Sequence, residues 1–90
     1  MKITQESTRV LNNLYEKLIN DENAFAPCVT VYMADFAREL NITDKQLNLC
    51  LWYLKDAGYI NVNSPEYNRD ERASKQVFLL PLAIKMIENN

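Results

Sequence analysis

Apolar residues recur at three- and four-residue steps early in the chain, at Val10, Leu11, Leu14, Tyr15 and Leu18. That spacing lays a broad apolar stripe along a helix and predicts α-structure from about Glu6 to Ile19. The polar run Asn20-Asp21-Glu22-Asn23 ends it. In the loop Ala24-Phe25-Ala26-Pro27-Cys28 that follows, Phe25 is expected to plug the core rather than stand exposed. Val29-Thr30-Val31 is β-branched throughout and suits a very short strand. The helical step returns at Met33, Phe36, Ala37 and Leu40, which predicts a second, short helix from about Tyr32 to Leu40 lying on the first.

Asn41-Ile42 interrupts this helix, and Thr43-Asp44-Lys45-Gln46 then spells a capping box. The Thr43 hydroxyl can accept the backbone N–H of Gln46 while the Gln46 side chain accepts that of Thr43. The third helix it opens carries Leu47, Cys50, Leu51, Leu54 and Ala57 on one face and stops at Gly58, which tolerates the left-handed backbone that closes a helix. Tyr59-Ile60-Asn61-Val62-Asn63 alternates as a strand does, and Gln76-Val77-Phe78-Leu79-Leu80 is rich in strand formers. Ser64 to Lys75, polar and carrying Pro65, Asn68 and Asp70, reads as a long hairpin tip. After Pro81, the run from Leu82 to Ile87 suits a closing helix. The expected fold is mainly α with a small β-hairpin, in the order α, (β), α, α, β, β, α.

Composition narrows the picture without changing it. Ninety residues, 48% of them hydrophobic, suffice for one core, so residues 1–90 are expected to form one domain. One Gly and three Pro leave no material for a flexible linker. Met1-Lys2-Ile3-Thr4-Gln5-Glu6 turns polar at once, and no segment approaches the ~20 apolar residues of a membrane span, so a cytoplasmic protein without membrane contact is expected. Cys28 and Cys50 are too far apart for a metal or redox knuckle and there is no His, so reduced, semi-buried thiols and no metal or cofactor are expected. The same inventory lacks a Gly-rich phosphate loop and a Cys–His pair, which argues against an enzyme. The formal charge of −2 lacks the basic excess common in nucleic-acid binders.

Two helices joined by a tight turn, with Phe36, Ala37, Leu40, Ile42, Leu47, Leu51 and Leu54 as the inward set, resemble a helix-turn-helix. The continuation Leu54-Lys55-Asp56-Ala57-Gly58-Tyr59-Ile60 is similar to the ending of the recognition helix in winged-helix proteins such as the MarR and PadR regulators. Phe78-Leu79-Leu80-Pro81-Leu82-Ala83-Ile84 likewise resembles the strand-to-helix passage that ends their wing. Leu80 stands where threonine is usual there and Ala83 where glycine is usual. The resemblance covers roughly residues 29 to 88.

It implies a small winged-helix DNA-binding protein, a transcriptional regulator of bacterial or phage type. The third helix would enter the major groove and the wing would touch phosphates or the minor groove of duplex DNA. Carried onto this chain, the implied contacts are Lys45, Gln46, Asn48 and Leu49 on the third helix and Arg69, Arg72 and Lys75 on the wing. Gln46 and Asn48 have the amide chemistry that pairs with adenine, or else Gln46 only caps the helix and Asn48 is merely solvated. Charge opposes the implication. Between residues 31 and 76, Arg38, Lys45, Lys55, Arg69, Arg72 and Lys75 are slightly outnumbered by Asp35, Glu39, Asp44, Asp56, Glu66, Asp70 and Glu71. Folding can separate these charges, and a homodimer would double the cations that face a groove.

The third helix also carries a second ridge, Lys45, Leu49, Trp52 and Asp56, with Tyr53 beside it. Large apolar groups at the centre of a charged rim describe a protein-interaction hot spot, so the alternative is a winged-helix module, such as a phage-type modulator of a host protein, docking through Leu49, Trp52 and Tyr53. Trp52 could equally pack on the first helix or wing of its own chain. Ile84, Met86 and Ile87 either form a dimer contact or cover the first helix.

Overall fold

The computed structural model describes residues 4–24, 26–63 and 74–89. The stripe that begins at Val10 becomes α1, Gln5–Asn20, opened by Thr4, whose hydroxyl accepts the Ser7 N–H. It is followed by β1 (Cys28–Tyr32), α2 (Met33–Leu40), α3 (Asp44–Asp56), β2 (Ile60–Asn63), β3 (Ser74–Leu79) and α4 (Pro81–Glu88). This is the winged helix-turn-helix order expected from the sequence. No helix of the described residues is long and apolar enough to cross a membrane.

One difference concerns the sheet. The expected hairpin of two strands is a three-stranded antiparallel sheet in the order β1-β3-β2, with β3 in the centre. β1 spans five residues, two more than its β-branched core, and pairs along its length with β3: Cys28 faces Phe78, Val29 faces Val77 and Tyr32 faces Ser74. Because Val31 and Tyr32 offer their backbone to Lys75 and Ser74, the central strand starts two residues before the expected Gln76. Lys75 was expected on the hairpin tip and stands instead in a paired strand. Phe25 and the tip residues 64–73, including Arg69 and Arg72, lie outside the described residues.

Both helices of the helix-turn-helix end in the same device. At the end of α2, Asn41 takes φ 58°, the Asn41 N–H bonds the Arg38 carbonyl and the Ile42 N–H bonds the Ala37 carbonyl. At the end of α3, Gly58 takes φ 84°, with Gly58 N–H on the Lys55 carbonyl and Tyr59 N–H on the Leu54 carbonyl. These are paired Schellman bonds, which need one left-handed residue each. Asn and Gly are the residues that adopt it at least cost.

The core lies between the helices and one face of the sheet. Leu11 and Leu14 of α1, Phe36 and Leu40 of α2, Leu47, Leu51 and Leu54 of α3, and Ile60, Val77 and Leu79 of the sheet are buried together, and Ala83 of α4 closes one end. Ile42, expected among the inward set, is only half-buried at the turn. Where α1 meets α3 the contact is made by small groups: Ser7 is fully buried and its oxygen accepts from the Thr4 hydroxyl at 2.8 Å. This polar group is thus satisfied inside an apolar layer. α4 is tied back to α1 by the Tyr15 hydroxyl, which donates to Glu88 at 2.7 Å.

Candidate nucleic-acid interface

α3 is aimed by the turn that precedes it. Beyond the left-handed Asn41, the Arg9 guanidinium of α1 donates to the Leu40 carbonyl, placing a cation at the negative end of α2. Thr43 then starts α3 with a complete capping box: Gln46 N–H to Thr43 Oγ1 at 3.1 Å, and Thr43 N–H to Gln46 Oε1 at 2.9 Å. Of the two roles open to Gln46 from the sequence, capping is the one its side-chain oxygen performs here.

With Leu47, Cys50, Leu51 and Leu54 buried, the opposite side of α3 is free to meet a partner. Lys45, Asn48, Leu49, Trp52, Lys55 and Asp56 are all exposed on it, Leu49 to 50% and Trp52 to 60%. Trp52 therefore does not pack under α1 or the sheet. Its indole meets the half-buried Tyr53 ring edge-on, with centroids 5.7 Å apart and planes at 69°, an arrangement aromatic pairs favour.

β3 reaches the same side. Lys75 Nζ donates to Asn48 Oδ1 at 3.2 Å, linking the central strand to α3. Asn48, Leu51, Trp52, Lys55, Val62 and Lys75 together line an open groove of about 320 Å³ between α3 and the sheet. Lys55 belongs to this group although the sequence reading did not single it out. Its spacing from Asn48 and Trp52, seven and three residues on, was the available signal.

Folding also sorts the charges that sequence counting lumps together. On α2, Arg38 lies 3.7 Å from Asp35, and Glu39 pairs with Lys17 of α1 at 2.8 Å. Asp35, Glu39 and Lys17 line a separate recess with Tyr32 and Thr30, between α1, α2 and β1. Lys45, Lys55 and Lys75 have no ion-pair partner among the described residues. Asp44 and Asp56 are the first and last residues of α3. Among the described residues, the centre of the face is thus cationic and apolar, with Asp44 and Asp56 toward the ends of the helix.

Elsewhere, Ile84, Met86 and Ile87 are packed half-buried against the chain's own core, so they cover α1 and its neighbours. The exposed apolar side chains Ile19 of α1, Tyr32 of β1 and Leu82 of α4 were not anticipated. Cys28 is half-buried, Cys50 is buried, and neither forms a disulfide. Burial pushes both thiols above their ordinary pKa.

No protein-family model matches the chain, and no curated protein matches it either. Solved structures do. MepR, a transcription regulator of the Staphylococcus aureus multidrug efflux pump MepA, superposes with a TM-score of 0.67 at 23% identity, over 98% of this chain and 55% of that one. MepR in the S. aureus MepR–DNA complex superposes at 0.66 and 24% identity, over 97% of this chain and 60% of that one. The A103V mutant of MepR from a multidrug-resistant S. aureus clinical isolate reaches 0.70 at 22% identity, over 97% and 54% of the two chains. The likeness establishes the shared winged-helix fold, and the chain spans a little over half the length of these structures.

Proposed function

We propose that this chain is a DNA-binding winged-helix module of a transcription regulator, of bacterial or phage type, acting in the cytoplasm and without catalytic activity. Residues 1–90 would act as one domain and pair into a dimer on a two-fold site, with the outer side of α3 in the major groove. The reading rests chiefly on Lys55 and Lys75, which line one groove with Asn48 from helix and strand, and on Lys45 one turn before Asn48 on α3, none of them with a carboxylate partner among the described residues. Phosphate neutralisation dominates protein–DNA affinity, and a helix fits the major groove. The fold likeness to MepR, which has been solved with DNA, supports the same direction. Asn48 is proposed to read a base edge, while Lys45, Lys75, Arg69 and Arg72 contact phosphates. Gln46 and Leu49 would face the floor of the DNA major groove.

The test is duplex affinity across a salt series. Log affinity should fall linearly with log salt, and each lysine removed should lower that slope by about one unit. Arg69→Ala combined with Arg72→Ala should abolish duplex retention in a gel shift. Unchanged retention would remove the wing from the proposal.

A second reading is favoured by one observation, the exposure of Leu49 and Trp52 at the middle of the face. In it, α3 docks on a protein through Leu49, Trp52 and Tyr53, as a phage-type modulator of a host protein would. Such docking should be nearly indifferent to salt and should collapse on Trp52→Ala. A pull-down unaltered by that substitution discards it.

A further inference from the structure

We infer that Leu49 and Trp52 form a thymine-reading pair, taking the C5-methyl groups of A·T pairs in the major groove, so that the chain selects A·T-containing duplex by apolar contact. The inference rests on the duplex reading above and goes beyond it by naming what the apolar centre recognises.

Three observations converge on it. Leu49 and Trp52 are three residues apart, hence neighbours on the helix surface, and they are exposed at 50% and 60% where phosphate-contacting groups alone would need only polar side chains. Around them stand Lys45, Lys55 and Lys75, whose ammonium groups lack ion-pair partners among the described residues and complement a polyanion. A protein hot spot with the same centre gains nothing from that cationic surround unless its partner is acidic. Finally, the Asn48 side-chain oxygen is occupied by Lys75 at 3.2 Å. The amide N–H pair is a donor that adenine N7 or thymine O4 can accept, as can guanine N7 or O6, so it is the methyl contact that singles out A·T.

In the major groove the thymine methyl is the one apolar group a base pair presents, and adenine N7 and thymine O4 lie in the same pair. A donor at position 48 and an apolar surface at 49 and 52 therefore match one kind of base pair. The edge-on contact with Tyr53 steadies the indole, so a methyl meets a preset surface instead of a side chain that must be ordered on binding.

The experiment compares two end-labelled, non-self-complementary duplexes of A·T pairs, one containing thymine and the other uracil, which differ only in the C5 methyls. Affinities are read by fluorescence anisotropy over a salt series. Burying one methyl is worth about four-fold, so the thymine duplex should bind on the order of ten-fold tighter if two methyls are engaged. The double variant Leu49→Ala, Trp52→Ala should bind both duplexes alike, with the salt slope retained. Both substituted side chains are exposed, and circular dichroism verifies that the variant folds. The unmodified chain offers a second readout: Trp52 is its only tryptophan, and its emission should change more on the thymine duplex. Equal, salt-sensitive binding of both duplexes by the unmodified chain overturns the inference and leaves the duplex reading standing. Absence of salt-sensitive binding to either overturns both.

Discussion

Leucines occupy both sides of α3, and their surroundings give them opposite roles. Leu47, Leu51 and Leu54 are buried beneath α1, α2 and the sheet, whereas Leu49 stands exposed beside Trp52. The inner side spends its apolar surface on folding. The outer side withholds the same chemistry from the core and leaves it exposed, amid lysines that belong to both helix and strand. Stability and the proposed binding are thus separable within thirteen residues of one helix, and substitutions on the two sides should have uncorrelated effects.

The largest expected contrast is between Leu54→Ala and Leu49→Ala. Leu54 is fully buried, and truncating such a side chain costs about 2–5 kcal/mol, a large share of the roughly 5–15 kcal/mol that holds a domain together. Leu49→Ala should stay within about 0.5 kcal/mol. Urea melts of the two variants measure this, and equal losses would erase the distinction between the sides.

Next come the two ends of the helix. Thr43→Ala removes the cap and should cost about 1 kcal/mol. Gly58→Ala should cost about 1–2 kcal/mol through its φ of 84° alone, because an added Cβ would meet nothing within 4 Å. A stability unchanged by Gly58→Ala would mean that the C-terminal turn relaxes freely, and the aim of α3 toward β2 would lose its anchor.

A smaller, kinetic contrast separates the thiols. Burial raises both pKa values, so each is protonated and slow to react at neutral pH. Iodoacetamide should label half-buried Cys28 first and Cys50, under α1, only on unfolding. Equal labelling rates would indicate that α1 opens from α3 readily.

The smallest effect is at the α1–α4 tie. Accepting the Tyr15 hydroxyl, Glu88 raises the tyrosine's pKa above its ordinary 10.0, because the bond needs the protonated phenol. A group whose folded pKa is raised adds stability that is present below its unfolded pKa and lost as pH rises through the folded one. Stability of the unsubstituted chain should therefore fall toward that of Tyr15→Phe at alkaline pH above about 10 and differ from it below. A difference that persists through strongly alkaline pH would assign it to something other than this bond.

Most of the architecture is legible in the residues because its signals are local. The capping box Thr43–Gln46, the stop at Gly58 and the inward spacing of Leu47, Leu51 and Leu54 each depend on neighbours within a turn or two, and the outward position of Trp52 follows from them. What was missed depends on distant partners. Lys75 looks like a loop residue until Val31, far earlier in the chain, supplies its strand partner. The count of acids misleads for a similar reason: Glu39 is matched by Lys17 from another helix, which no count along the chain can register. Ile42 falls short of full burial in the turn that follows the left-handed Asn41, where it packs on the edge of the core.

The most direct test is an NMR titration of the labelled chain with a mixed-sequence DNA duplex at low salt, following backbone amides and the Trp52 indole N–H. The expected result is a set of shifts concentrated at Lys45, Asn48, Leu49, Trp52, Lys55 and Lys75, reversed by added salt. Shifts confined to α1 and α4, or none on the outer side of α3, would contradict the claim that this side meets duplex DNA.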